Sequence, residues 1–322
     1  MDPWDEIGIP AAPGEITARR YGPNVRWDWY RGRDSRGRCL LFINTDVDPS
    51  GTHFPVIQGL EVRALIDRPG LFRIQVALNE PDAREPFGHV CDDLVDYCEH
   101  TVQPEALPRR IAERLEVWRR LWRRQRLGIL SEESQRGLLA ELLFLRDIWL
   151  GVVTNELNAV ETWEGPDGGS QDFRHGFQAV EVKSRPPSRN SVLISSADQL
   201  WFDGNLYLVV YPIATVGQIE GDALSLNQVV ESVRTRLASG QARDRLDIRL
   251  IDFGYINRRE YDEERFVTAE PTAYHVGPGF PALQDADLPP GVESIRYSVN
   301  LNWCEEHRTE LPVFQELLRA GN

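Results

Sequence analysis

One stretch of fourteen residues, QDFRHGFQAVEVKS from Gln171 to Ser184, restricts the fold of this chain more than any other. Alternate side chains of an extended strand point to opposite faces. Val180 and Val182 therefore share one face, which demands an apolar layer beneath it, while Glu181 and Lys183 share the other. A hairpin-like pair, Gln171 to Arg174 and Phe177 to Lys183, about His175-Gly176, brings Asp172 toward Glu181. Two carboxylates repel unless a proton or cation lies between them, and hard oxygen ligands suit Mg²⁺ or Mn²⁺. The pattern predicts a metal site on a half-buried hairpin.

Lys183 is singular in a second way. Of 36 basic residues, 35 are arginine and Lys183 is the one lysine. GC-rich coding accounts for the arginines but not for the exception. A compact ammonium with a tunable pKa is something a planar guanidinium does not supply. Glu-x-Lys by itself is a weak motif, because an ion pair on one face of a strand produces it too.

A third carboxylate belongs to a helix starting at Ser131, a plausible N-cap with Glu132 and Glu133 in the first turn. At about 100° per residue, Leu138, Leu142, Leu145 and Trp149 form its apolar stripe, and Glu141 falls between the directions of Leu145 and Ile148. An inward carboxylate needs a partner: a metal or its waters, or an arginine at the helix boundary. Further on, Gln199 sits at the start of an expected helix near Ser196, and either faces the same cleft or completes a capping box with Ser196.

Organisation follows from local pattern. Cys39 to Asn44, Gly59 to Ile66 and Leu71 to Leu78 read as strands, giving a β-rich N-terminal domain over residues 1–100. Residues 101–130 hold a basic linker helix. In Arg109 to Arg126 eight arginines face two glutamates, and Ile111, Leu115, Trp118 and Trp122 recur at helical spacing. It reads either as a phosphate-tracking helix, with Arg109, Arg110, Arg119, Arg120, Arg123, Arg124 and Arg126 outward, or as a solvated connector. Residues 131–260 read as helix, three strands (a piece around Val160, then the hairpin pair), helix, strand (Leu206 to Tyr211). A helix at Leu226 to Ala238 and a strand at Ile248 to Phe253 follow. Residues 261–322 form a C-terminal extension ending in a helix near Leu311 to Leu318. The fold class is mixed α/β (α+β).

Fifty acidic residues against 36 basic leave a formal charge of -14, so nucleic-acid contact must be local rather than spread over the surface. No apolar run approaches the roughly 20 residues of a membrane span, and the N-terminus lacks the features of a secretory signal, which makes the cytoplasm the default. Four cysteines and six histidines fall at no zinc-ligand spacing.

A Glu on a leading helix, an Asp, Glu-Val-Lys on the next strand and a Gln on the following helix resemble the PD-(D/E)XK nuclease superfamily. More closely, Glu141-Leu-Leu-Phe-Leu, the EVKS strand, Ser196 to Leu200, Phe280-Pro281 and HVCDDL (His89 to Leu94) resemble an uncharacterised bacterial PD-(D/E)XK family found among phage-defence and restriction genes. The resemblance implies a restriction-endonuclease-like core and Mg²⁺-dependent (or Mn²⁺-dependent) hydrolysis of DNA in a bacterial defence system, with other defence proteins as partners and self-association left open. It implies Asp172, Glu181 and the Val182 carbonyl as metal ligands, with Glu141 holding a water or second ion. Lys183 would orient or deprotonate the attacking water, and Gln199 would position water or substrate. The dipeptide of the name occurs as Pro166-Asp167, whereas Asp172 has the better strand placement, so Asp172 is preferred and Asp167 stays open. Alternatives are a catalytically silent DNA-binding or assembly subunit, and RNA as substrate.

Overall fold

The computed structural model describes residues 3–320 except 24, 100, 125–127, 218–220, 222, 285–287, 290, 293 and 294, and except the side chains of 120, 121, 123 and 124. The chain forms two compact units, Met1–Gly128 and Ile129–Asn322.

The first unit holds an antiparallel sheet ordered β1-β2-β3-β5-β4, from β1 (Ile16–Arg20), β2 (Trp29–Asp34), β3 (Cys39–Thr45), β4 (Leu60–Arg68) and β5 (Leu71–Leu78). The last three are the strands the sequence predicts. β1, with sequence ITARR, is almost wholly exposed and so carries no apolar alternation to read. Two helices follow, α1 (Arg84–Glu99) and α2 (Leu107–Arg124). In α1, Phe87, Val90, Cys91, Leu94, Val95 and Cys98 are buried at helical spacing, so residues 84–99 add a helix to a region expected to be β-rich. The predicted stripe of α2, Ile111, Leu115, Trp118 and Trp122, is buried.

α2 packs on α1 inside this unit rather than standing apart as a connector. Asp93 on α1 fastens it: its carboxylate accepts Arg114 Nε at 2.7 Å and Trp118 Nε1 at 2.6 Å, and Arg114 is only 2% exposed.

The second unit begins with α3 (Glu132–Phe144), capped by Ser131 Oγ on the Ser134 amide and continued through a π-helical turn, Leu145–Trp149, and one further turn, Leu150–Val152. α4 (Glu156–Glu161) comes next. Here the structure corrects an expectation: the piece around Val160 is helical, N-capped by Asn155, with Ala159 and Val160 turned inward. After it come β6 (Phe173–His175), β7 (Gln178–Arg185), β8 (Ser191–Ile194), β9 (Asn205–Val216), α5 (Leu226–Arg236) and α6 (Gly240–Phe253). β10 (Arg265–Thr268), β11 (Thr272–Val276), β12 (Tyr297–Asn300), β13 (Arg308–Thr309) and α7 (Leu311–Ala320) complete the unit.

Two more expectations change. The helix near Ser196 is a single 3-10 turn, Ala197–Leu200. Residues 248–253, expected as a strand, are the last turns of α6: Ala242, Leu246 and Leu250 are buried four apart, and that longer period prevails over the short alternation of Ile248 to Ile251.

The main sheet runs β13-β11-β9-β7-β6, with β10 also on β9; β8 and β12 form a separate ribbon. β7 and β9 are parallel and their other partners antiparallel. Residues after 261 thus supply strands to the main sheet, and Phe314 and Leu318 of α7 join its core. Val180, Val182, Tyr207, Val209 and Tyr211 pack with residues of α3, α5, α6 and α7. Leu208 and Val210 instead meet Val192, Ile194, Val299 and Leu301 of the ribbon side. Glu181 pairs with Leu208 and Lys183 with Val210, so the charged pair shares this second, also covered, side of the sheet.

Truncating Asp93 would leave Arg114 buried without its carboxylate, a change that costs about 3–5 kcal/mol in buried pairs. Asp93→Ala is therefore expected to lower the denaturant midpoint of the first unit by the equivalent of about 3 kcal/mol or more. A shift below about 0.5 kcal/mol would show that Asp93 does not fasten α2.

Candidate metal centre

The site is assembled on the β6–β7 hairpin. Phe173 pairs with Val180 and His175 with Gln178, with Gly176 turning at φ +57°, and one more step of this register sets Asp172 level with Glu181. The Val182 amide donates to Asp172 Oδ2 at 2.8 Å, which fixes the carboxylate against the neighbouring strand. N–H and C=O of one strand residue leave on the same edge, so the Val182 carbonyl faces this side as well. Glu181 is fully buried, and its Oε1 lies 2.5 Å from Lys183 Nζ.

α3 delivers the third acid. Leu138, Leu142, Leu145 and Trp149 are buried as the stripe predicts, and Glu141 is buried among them at 8% exposure. Its partner is an aromatic residue: Trp163 Nε1 donates to Glu141 Oε2 at 2.7 Å. Asp172 stands beside it, because a methyl group at Gly165 would lie 2.5 Å from Glu141 Oε2 and 3.0 Å from Asp172 Oδ1.

Three carboxylates thus share one buried region with a single ammonium. Burial and the neighbouring Asp172 charge raise Glu141 well above the ordinary carboxylate range, against the Trp163 hydrogen bond. Asp172 is raised by burial, opposed by Lys183 and the Val182 amide. Glu181 is pushed up to about 8 by burial and by Asp172, with Lys183 acting against them. Burial alone would lower Lys183, but Glu181 and Asp172 outweigh it and its pKa rises. Neither Glu181 oxygen accepts a well-formed hydrogen bond despite the ion pair.

Buried carboxylate oxygens in a set with surplus negative charge are the ligand chemistry that a hard divalent cation takes. Among the described residues, no three acidic, His or Cys side chains already converge closely enough to hold one. The residues fit a metal in type and charge.

Other predicted residues lie elsewhere. Asp167, in the turn Gly165–Asp167, is ion-paired with Arg249 of α6 and does not join the cluster. The Gln199 side chain accepts the amide of Ser195, not of the N-cap Ser196, at 2.8 Å, and Ser196 makes no side-chain cap bond, so the capping box does not form. In the first unit, Arg109 pairs with Glu113, Arg110 lies 3.9 Å over the Tyr97 ring, and Arg119 pairs with Glu116. The side chains of Arg120, Arg123 and Arg124, and all of Arg126, lie outside the described residues. A surface cavity of about 460 Å³ in the second unit, lined by Val152, Thr154, Asn158, His175 and Arg319 among others, includes none of the cluster. Trp163 and Gly165 were not predicted; the only hint is an aromatic residue two positions ahead of a Gly-Pro-Asp turn.

A family model described as "Putative PD-(D/E)XK family member, (DUF4420)" matches residues 1–302. No curated protein and no solved structure matches the chain at a significant level.

The raised carboxylates give the metal-free fold a definite pH dependence. Glu181 binds its proton more tightly in the folded state (about 8) than in the unfolded state (near 4.5), so its contribution is fully present below about 4.5 and is lost as pH rises through about 8. Glu141→Gln keeps an acceptor for Trp163 and removes the buried charge. It is expected to raise the melting temperature of the metal-free protein, by more at pH 8 than at pH 5. Equal or lower melting temperatures at pH 8 would contradict a desolvated Glu141 carboxyl.

Proposed function

The chain belongs to the PD-(D/E)XK family DUF4420, and from that premise we propose that it is a divalent-metal-dependent nuclease that hydrolyses phosphodiester bonds of DNA. The observation that carries this reading is the gathering of Glu141, Asp172, Glu181 and Lys183, from one helix and one hairpin, into a region where the acids outnumber the cation. The bacterial defence setting, the choice of Mg²⁺ or Mn²⁺ and the association with other defence proteins come from the family resemblance.

In this reading Asp172 and Glu181 bind the metal, with the Val182 carbonyl facing the same side, and Glu141 completes the acidic wall. A divalent cation held there supplies electrostatic stabilisation of the charge that builds on the phosphoryl oxygens, together with water activation. Asp172 arrives oriented, because the Val182 amide holds one of its oxygens. Lys183, freed from Glu181, orients the attacking water with a compact donor and offsets negative charge in the transition state. Its side chain is 18% exposed against 1% for Glu181, so the substrate approaches from the lysine side. Gln199 would contribute only by releasing the Ser195 amide. DNA contact through the α2 arginines draws on those left after Arg109, Arg110 and Arg119 have taken partners within their own unit.

A second reading, a catalytically silent DNA-binding or assembly subunit, is favoured by one observation: Glu181 is already ion-paired with Lys183. Mn²⁺ calorimetry separates the two. The nuclease reading expects binding in the millimolar range or tighter, abolished in Glu181→Ala. No binding by the wild type, with and without DNA present, would leave the silent subunit.

Cleavage of DNA should fall by roughly a hundred-fold or more in Lys183→Ala, with folding and Mn²⁺ binding largely kept. Lys183→Arg should not restore it, since a planar guanidinium cannot take the place of the ammonium. Asp172→Ala should weaken Mn²⁺ binding far more than Asp167→Ala, whose carboxylate pairs with Arg249 and acts only through the loop it anchors. Wild-type cleavage by the arginine variant would remove Lys183 from the mechanism, and the reverse pattern for the two aspartates would move the ligand.

A further inference from the structure

We propose that Trp163 and Gly165 are positioning residues that hold the Glu141 and Asp172 carboxylates apart and ready for a cation; this rests on the metal-site reading above. Both lie in the segment between α4 and β6, which holds the Glu141 side chain at one point and the Asp172 backbone at another. The Trp163 indole N–H donates to Glu141 Oε2 at 2.7 Å. Its backbone bridges to Phe173, the residue after Asp172, and its ring is stacked near Phe173 with 14° between planes. The amides of Glu164 and Gly165 donate to the Asp172 carbonyl at 2.7 and 3.2 Å. One short loop thus fixes the Glu141 side chain through the indole and the Asp172 backbone through two amides.

Gly165 serves by lacking a side chain. Its backbone is outside the left-handed region, unlike Gly168 at φ +75°, so the conformation itself does not require glycine. What requires it is space: an added methyl carbon would stand 2.5 Å from Glu141 Oε2 and 3.0 Å from Asp172 Oδ1. The gap it would fill lies between oxygens of two of the three acids. Two like charges facing across such a gap would relax apart or acquire protons if unrestrained. Tethers to both keep the gap open without a cation.

The loop is anchored outside the site. Asp167 is ion-paired with Arg249, whose second nitrogen donates to the Glu161 carbonyl at 2.6 Å, and Arg249 is 3% exposed. The aspartate of the Pro-Asp dipeptide therefore secures the loop that carries Trp163 and Gly165.

The test uses the full chain and Mn²⁺ alone as probe. Trp163→Phe keeps a ring against Phe173 and removes only the donor; Gly165→Ala adds only the methyl group. Outer partners of metal ligands usually change affinity by about 10–100-fold. Each variant is expected to fold and to bind Mn²⁺ about ten-fold or more weakly by calorimetry. In a Glu141→Gln background, Trp163→Phe should produce little further loss, because its effect passes through Glu141. A purely structural tryptophan would instead lower the melting temperature equally with and without Mn²⁺ and leave the affinity unchanged. The proposal is overturned by wild-type Mn²⁺ affinity in Trp163→Phe, or by losses that add in the double variant. If Gly165→Ala fails to fold, the tryptophan series alone decides. Absence of Mn²⁺ binding in the wild type sinks the metal reading and this proposal together, whereas binding that needs Glu181 but ignores Trp163 sinks only this one.

Discussion

The second unit is organised around the burial of three carboxylates with one ammonium. Taking charges out of water is expensive, and a like-charged group nearby raises the penalty. Every partner near the cluster lessens it in part: Lys183 at Glu181, the Val182 amide at Asp172, the Trp163 indole at Glu141. None removes it, which is why all three carboxyl groups are pushed upward. A chain selected for stability alone would place apolar side chains there. Carboxyl groups pushed upward inside an otherwise well-packed core are the feature on which the proposed function rests.

The architecture makes this burial tolerable by placing the acids on rigid elements. β7 lies between β6 and a parallel β9, and a parallel pair needs cover on both faces. One cover is the helical layer that includes α3, which brings Glu141; the other is built with the β8–β12 ribbon and closes over Leu208 and Val210. By register with Leu208 and Val210, Glu181 and Lys183 lie on this second side. Asp172 sits at the open end of the edge strand β6, where it is only half-buried. The access gradient from Glu181 through Lys183 and Asp172 to solvent follows from strand order.

Much of the site was legible because its signals are local. Period-two alternation placed Glu181 and Lys183 on one face, the glycine turn set the register for Asp172, and a 3.6-residue stripe turned Glu141 inward. Nothing local marked the second cover of the sheet, since Val192 and Val299 come together from strands more than a hundred residues apart. Hence the face expected to be open is closed. The piece around Val160 and the end of α6 depart from expectation for a related reason: four to six apolar residues fit either period, and only the longer spacing decides between them. The Trp163 tether spans 22 residues and the Arg249 anchor spans 82, distances over which spacing carries no information.

The arginine-rich helix shows the same limit from the other side. Its surplus of positive charge suggests a phosphate track, yet composition cannot tell a free guanidinium from a paired one. Arg114 is buried on Asp93, Arg110 covers Tyr97, and Arg109 and Arg119 meet glutamates of their own helix. A guanidinium stacked on an aromatic ring or forked onto a carboxylate serves packing as much as charge. Part of the basic surplus of α2 therefore balances acids inside the first unit. For a chain with a formal charge of -14, any electrostatic hold on a polyanion has to be local. Such a hold is strongly salt-dependent, because it rests on counterion release.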